Sequence, residues 1–391
     1  MRSLGNIDGQ ALPGEVAAAM IEWRASRIHD PLDRLRYLVR ATRRPQPRTA
    51  ARRGRARVLL LLCLAAAAPV TIVSDAHVQN RAHRVPPLPD LQPRQDAAGS
   101  VWLVERTLEY DLYSNGLRVE NRLTVSNQPR LYHPVDRRNP AAGLSEPRYE
   151  PAGIVFHATE SYQAPFEPEK NRLLKNMGES LLHYVRRHRS YHFVIDRFAR
   201  VHRIVAETDA ANHAGKSVWA DSRWIYLDLN NSFFGVSFEA LTGDPEAGEP
   251  ASKAQMRSAG MLVEMLRSRY AIAAENCVTH AQVSVNPGNW QLGYHTDFGN
   301  RFVFAEAGLP DNYGRPPAAI SLFGFTYDPS YVKVTGAPLW SSLALAEEQL
   351  RTEALSRGVS LSVHRRSLRE RYRRLAAALQ SIQQRNQWSN P

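Results

Sequence analysis

Between residues 150 and 310 the chain alternates short, almost wholly apolar runs with longer stretches of helical spacing. No other feature limits the fold as much. "GIVFH" (153–157), "YHFVID" (191–196) and "FFGVSFEAL" (233–241) are too short for helices and too apolar for solvent-facing strands, so they read as strands buried on both faces. "NRLLKNMGESLLHYVRRH" (171–188) and "SKAQMRSAGMLVEMLRSRY" (252–270) carry helical spacing instead, with Met261 four residues before Met265 and Leu262 four before Leu266. Strands and helices in this order predict an α/β unit over 150–310.

The flanks read differently. In "TLEYDLYSNGLRVENRLTV" (107–125), Leu108, Tyr110 and Leu112 are placed on one strand face, and the Asn115-Gly116 pair predicts a hairpin with a type I′ turn. The region 101–149 is thus either a small accessory sheet or the first strands of the main one. From about Ala337, within a C-terminal extension spanning 311–391, the pattern predicts a helical hairpin. Leu368, Tyr372, Leu375, Leu379 and Ile382 follow the narrow seam of one helix packing on another, covering its own domain or meeting a partner. Near the other end, Val58–Val73 is 16 residues without a charge, directly after an arginine-rich block. It predicts a membrane anchor over 58–73, with residues 1–57 a cytoplasmic basic helical tail, the rest exported, and 74–100 a Pro-rich spacer. Secretion after signal cleavage is the alternative, and it requires a later translation start.

Charge and cysteine content narrow the function. The net charge of +12 sits at the ends: residues 1–57 hold 13 Arg against 5 acidic residues, and residues 351–391 hold 9 against 2. The middle is slightly acidic and offers no basic surface for nucleic acid. With only Cys63 and Cys277 in the chain, thiol-rich zinc sites are excluded.

Three residues have the chemistry of an N/N/O metal site: His157 at the end of a strand, and His280 and Asp297 at the two ends of "HAQVSVNPGNWQLGYHTD". A catalytic zinc takes three such ligands and keeps one position open. From residue type and spacing alone, a hydrogen-bonded surface histidine is the commoner case at a strand end and a plain turn stays open for "TDFG".

The order of motifs resembles the type 2 N-acetylmuramoyl-L-alanine amidases, the superfamily that includes phage amidases and peptidoglycan recognition proteins. "IVFHATES" resembles the family's first strand ending in a zinc histidine, "SYHFVIDRFARVHRIV" its Y-H-F segment, "NHAGKSVW" its H-A-G-x-S turn, "NNSFFGVSFEAL" its N-x-x-S-I-G-I-E, and "THAQVSVNP" with "YHTDFG" its last motif. The resemblance implies a mixed central sheet flanked by helices. It also implies one Zn2+ per chain on His157, His280 and Asp297, and hydrolysis of the amide between N-acetylmuramic acid and L-alanine in peptidoglycan or muropeptides. Tyr191, His295 and Glu239 are then the catalytic candidates, and His213, Lys216 and Ser217 the substrate-binding ones.

The chain departs from the pattern at three places. His295 stands where the family often has lysine, so it could donate to an oxyanion as imidazolium or orient substrate as neutral imidazole. Ser237 replaces the glutamate of one branch, and Glu239 lies ~7 Å along the same strand face. The loop holding Trp290 is longer than usual. Two other readings are a peptidoglycan-binding module that has lost hydrolysis and an anchor to the wall. The intact ligand triad separates hydrolysis from the first.

Overall fold

A computed structural model describes residues 100–242 and 250–388, all within the second of two units, Arg84–Pro391. The anchor expected at Val58–Val73, with the tail before it and most of the spacer after it, lies outside the described residues. No described helix is long and apolar enough to cross a membrane.

Eight strands form the main sheet: β1 (Leu103–Arg106), β2 (Tyr110–Tyr113), β3 (Arg118–Glu120), β5 (Gly153–Ala158), β6 (Phe193–Ile195), β7 (Val201–Arg203), β10 (Phe233–Phe238) and β11 (Cys277–Thr279), in the order β1-β2-β3-β7-β6-β10-β5-β11. A second sheet joins β4 (Val135–Asp136), β9 (Trp224–Leu227) and β8 (Val218–Ala220), and β12 (Val285–Asn286) pairs with β13 (Gln291–Leu292). The helices are α1 (Asn171–Arg187), α2 (Leu229–Ser232), α3 (Lys253–Tyr270), α4 (His280–Val283), α5 (Ala318–Phe323), α6 (Pro329–Ser356) and α7 (Leu361–Trp388). The mixed sheet flanked by helices is the arrangement expected from the sequence.

The apolar runs become the parallel half, β6-β10-β5-β11, and every residue of β5 and β10 is buried. Successive side chains alternate faces. Ile154, Phe156, Phe234, Val236 and Phe238 enter the largest core with Leu262, Val263 and Leu266 of α3. The opposite face carries His157, Gly235 and Ser237 by the same alternation, and α1 covers part of it by packing Leu182 and Val185 on Val194. Helix α3 starts at a capping box in which Ser252 Oγ accepts from the Gln255 N–H and Gln255 Oε1 from the Ser252 N–H.

The 101–149 region is continuous with this sheet, since β3 pairs parallel with β7. Its turn differs from the sequence reading, and the face that β2 buries is the one opposite Tyr110 and Leu112. Gly116 alone has φ near +85°, the Gly116 N–H donates to the Tyr113 carbonyl and the Tyr113 N–H to the Leu117 carbonyl. This is a type I turn closed by a left-handed glycine rather than a type I′ pair. On β2 the buried residues are Asp111 and Tyr113, while Leu108 is 97% exposed. The cause is electrostatic: Arg203 Nη1 meets Asp111 at 3.1 Å and Arg203 Nη2 meets Glu207 at 2.6 Å, so the carboxylate is turned inward to its partner. Strand β1 is an exposed edge.

The expected helical hairpin is α6 and α7. Leu368, Tyr372, Leu375 and Leu379 are buried along the predicted seam, and α6 bends at Gly336, just before Pro338.

Candidate metal centre

The site forms where β5, β10 and β11 end, the carboxyl side of the parallel strands, where ligands of open α/β sheets collect. Strand β5 delivers His157, with Ser237 of β10 beside it in register. Strand β11 runs into α4, whose first residue is His280. The turn is fixed because Gln282 Oε1 accepts the Thr279 N–H at 2.9 Å and Tyr331 OH donates to the Ala281 carbonyl. Asp297 closes the long loop. Its Oδ1 lies 2.8 Å from His280 Nδ1 and its Oδ2 lies 3.3 Å from His157 Nδ1. The ligating atoms of the three residues all fall within 4.8 Å of one another, the one such group of metal-ligating side chains among the described residues.

Hydrogen-bond partners assign the protons. His213 Nε2 faces the Phe233 carbonyl at 3.2 Å, so it carries the hydrogen, and a neutral His213 must then accept at Nδ1. His157 Nε2, 3.1 Å from that nitrogen, is the donor. The lone pair of His157 Nδ1 therefore points at a carboxylate oxygen, an arrangement that favours a cation between them. Burial, then the charge of His280, pulls His157 down to about 4, so it does not supply that cation itself. His213 is driven well below its ordinary range by burial and by His157. Asp297 goes the other way. Burial opposes its charge, but His280 and His157 outweigh burial and hold it far below the usual carboxylate range. His280 Nε2 is buried without a protein partner. Two imidazole nitrogens and an ionised carboxylate are a donor set that suits a divalent ion of zinc's type.

A buried relay sets these imidazoles. Arg130 is 1% exposed and donates to the carbonyls of Asn231 and Asp209, while His192 accepts the Gly235 N–H at 2.9 Å. Gly235 leaves room for the His213 ring, because a Cβ there would come within 2.5 Å of Cγ. Asn230 Oδ1 then accepts three consecutive N–H groups, those of His213, Ala214 and Gly215. Arg130, His192, Asn230 and Gly235 all escaped the sequence reading as site residues. Only the lone arginine in "NQPRLYH" gave a hint, and nothing in the sequence connects it to a histidine 62 residues on.

Residues 147–297 match the profile of the family described as N-acetylmuramoyl-L-alanine amidase. The segment is a domain of that family. No curated protein matches the chain. Similar solved structures include AmiD from E. coli in complex with anhydro-N-acetylmuramic acid-L-Ala-D-gamma-Glu-L-Lys, at 20% identity over 52% of this chain and 89% of that one, TM-score 0.35. AMPDH3 from Pseudomonas aeruginosa with anhydromuramic pentapeptide is similar at 20% identity over 50% and 84%, TM-score 0.33. LysC from Clostridium intestinale is similar at 20% over 47% and 93%, TM-score 0.26.

Within the amidase domain the other expected residues fall into two groups. Tyr191 and His295 stand at the cluster. The Tyr191 ring lies 5.1 Å from the His157 ring, its φ is near +60°, and burial raises its hydroxyl above the ordinary phenol range. The His295 ring stacks on His280 at 4.8 Å, and the backbone N–H of His295 donates to Ser284 Oγ. Loss of water on the stacked face, then the charge of His280, pulls His295 down to about 4. Of the two forms open to His295, this favours the neutral imidazole. His213 joins the cluster through His157. Glu239 turns instead towards α1, where its Oε2 accepts the Arg197 N–H and faces Gly178. Ser217 Oγ is occupied inside its turn, donating to the Gly215 carbonyl and accepting the Leu229 N–H. Lys216 is exposed beside it.

Proposed function

We propose that the chain is a zinc-dependent amidase that hydrolyses the bond between the lactyl group of N-acetylmuramic acid and L-alanine in peptidoglycan. The family match supports the reaction class, and one observation carries the metal: two histidine nitrogens converge on the two oxygens of one buried carboxylate. A zinc ion held by His157, His280 and Asp297 would supply Lewis acidity, polarising the amide carbonyl and activating water at neutral pH. His157 keeps Nδ1 free for that ion because its other nitrogen is committed to His213. Tyr191, whose proton is held firmly by burial, donates to the oxygen that gains charge. His295 is a neutral group that orients substrate or passes a proton. Glu239, turned to α1, is not assigned a chemical role.

Zinc content measured together with digestion of a soluble muropeptide tests the reading; about one zinc per chain and release of the free peptide are expected. His295→Ala should keep its zinc and lose ~100-fold in turnover, the scale of one donor at a developing charge. Unchanged turnover would leave Tyr191 and the metal as the whole machinery. The substrate class fits export, and we infer that Val58–Val73 anchors the chain with its N-terminus inside, which reporter fusions on either side of the run would test.

A further inference from the structure

Helix α7 lies beyond the residues matched by the amidase profile, yet it closes a cleft against the amidase domain. The cleft has a volume of about 620 Å3 and opens between α7, the Gly215–Ser217 turn and the Pro287–Trp290 segment. That size is within the range of pockets that enclose a small ligand. We propose that it binds an N-acetylated sugar of the glycan strand next to the amide being cut, a reading that rests on the amidase assignment.

Three observations point to a sugar rather than an anion or a peptide side chain. Asp228, held in a left-handed conformation at the end of β9, presents its carboxylate to the cleft and accepts from Gln383 of α7 at 2.9 Å and from Asn231 at 3.1 Å. A carboxylate on the wall repels anions. The cations of the cleft, Lys216 and Arg373, are exposed at its rim, and the Arg373 guanidinium already lies 4.9 Å over the Trp290 ring. Beside that carboxylate stand the amides of exposed Gln380 and half-buried Gln383; Gln383 Nε2 already donates to Asp228, and the remaining amide groups offer acceptors and donors side by side, as hydroxyl and acetamido groups require. Between them Ala376 and Ala377 form a small apolar ledge that gives the C–H face of a pyranose room to lie.

Position agrees with this ligand. Lys216 follows His213 by three residues, so at most ~11 Å of chain separates the cleft's edge from the imidazole that touches His157. Ser217 also pairs with Ser284 of the metal loop, which ties the cleft wall to the segment carrying His280 and Asp297. A strand with its amide at the metal cluster can therefore set a neighbouring ring against α7.

The test uses the full chain and a tetramer of N-acetylglucosamine, which lacks the lactyl group and the peptide and so has no lactyl–L-alanine amide to hydrolyse at the metal. Titration calorimetry should show binding to the wild type. Ala377→Trp, at an exposed position, should fill the cleft, and Gln380→Ala should remove one amide; each should weaken binding about tenfold, the scale of one lost hydrogen-bonded contact. Both variants should keep their zinc and their turnover of a soluble muropeptide lacking further sugars, while digestion of insoluble wall slows. No binding to the wild type, or wild-type affinity in Ala377→Trp, would overturn the sugar site. A chain that binds the tetramer but leaves the muropeptide intact would instead overturn the amidase reading and keep the cleft.

Discussion

Two buried carboxylates on opposite halves of one sheet are neutralised in opposite ways. Asp111, on the antiparallel side, has its cation built in. Burial works against its charge, but Arg203, Arg106 and Asn121 outweigh it and lower its pKa, and Arg203 also serves Glu207. Asp297, at the ends of the parallel strands, meets two histidines, and His157 is itself pushed towards the neutral form. The first cluster is complete as a piece of protein. The second pairs its carboxylate with two imidazoles in place of an arginine, a donor set that suits a divalent cation.

The difference can be broken from either side. The largest effect is expected at the metal cluster: His280→Ala should leave less than ~1/1000 of the activity, with zinc lost from the purified protein. Full zinc occupancy in that variant would remove the assignment. On the other half, Arg203→Ala removes the arginine shared by two acids, leaving Asp111 to Arg106 and Asn121 and Glu207 to Arg269 and Tyr270, and should cost about 3 kcal/mol of stability by denaturant unfolding. Whatever fraction stays folded should still bind zinc normally; lost zinc there would mean the two clusters are coupled.

Much of the site was legible because its ligands sit where local pattern is strongest. His157 ends an apolar run, and His280 and Asp297 bracket a loop whose Asn, Pro and Gly content marks it as irregular. The helices α1 and α3 followed from spacing for the same reason. What escaped was set by distance. The inward turn of Asp111 depends on an arginine 92 residues later, so alternation alone could group the residues of each β2 face but not say which face is buried. Glu239 shares the strand face of Ser237 as expected, but the Arg197 N–H claims its carboxylate. Ser217 looked available because its hydroxyl's partners, Gly215 and Leu229, belong to a turn that no local pattern specifies.

Two smaller experiments sharpen the contrast between the clusters. In metal-free protein the histidines hold Asp297 well below its ordinary carboxylate range, so its ionised form stabilises the fold at neutral pH, and Asp297→Asn should lower the denaturant midpoint while abolishing zinc uptake. An Asn variant at least as stable as the wild type would show that the cost of burying the carboxylate cancels what the histidines supply. The pH dependence belongs to the other half. Asp111 has a folded pKa below its unfolded value of ~3.9, so its contribution is full above that value and is lost as pH falls through the folded one. Thermal melting below pH ~4 should accordingly drop more steeply for the wild type than for Asp111→Asn.

Gly235 has no functional group, yet a comprehensive substitution screen scored on wall digestion should rank it with the ligands. Any side chain there collides with the His213 ring, and that displacement reaches His157 through a single hydrogen bond. Alanine, the mildest change chemists usually make, would be among the harshest in this strand, whereas the neighbouring Ser237 should accept alanine with little change in folding. A ranking of positions by tolerance would thus trace the support of the histidines through the sheet and would mark as essential a residue that never touches the substrate.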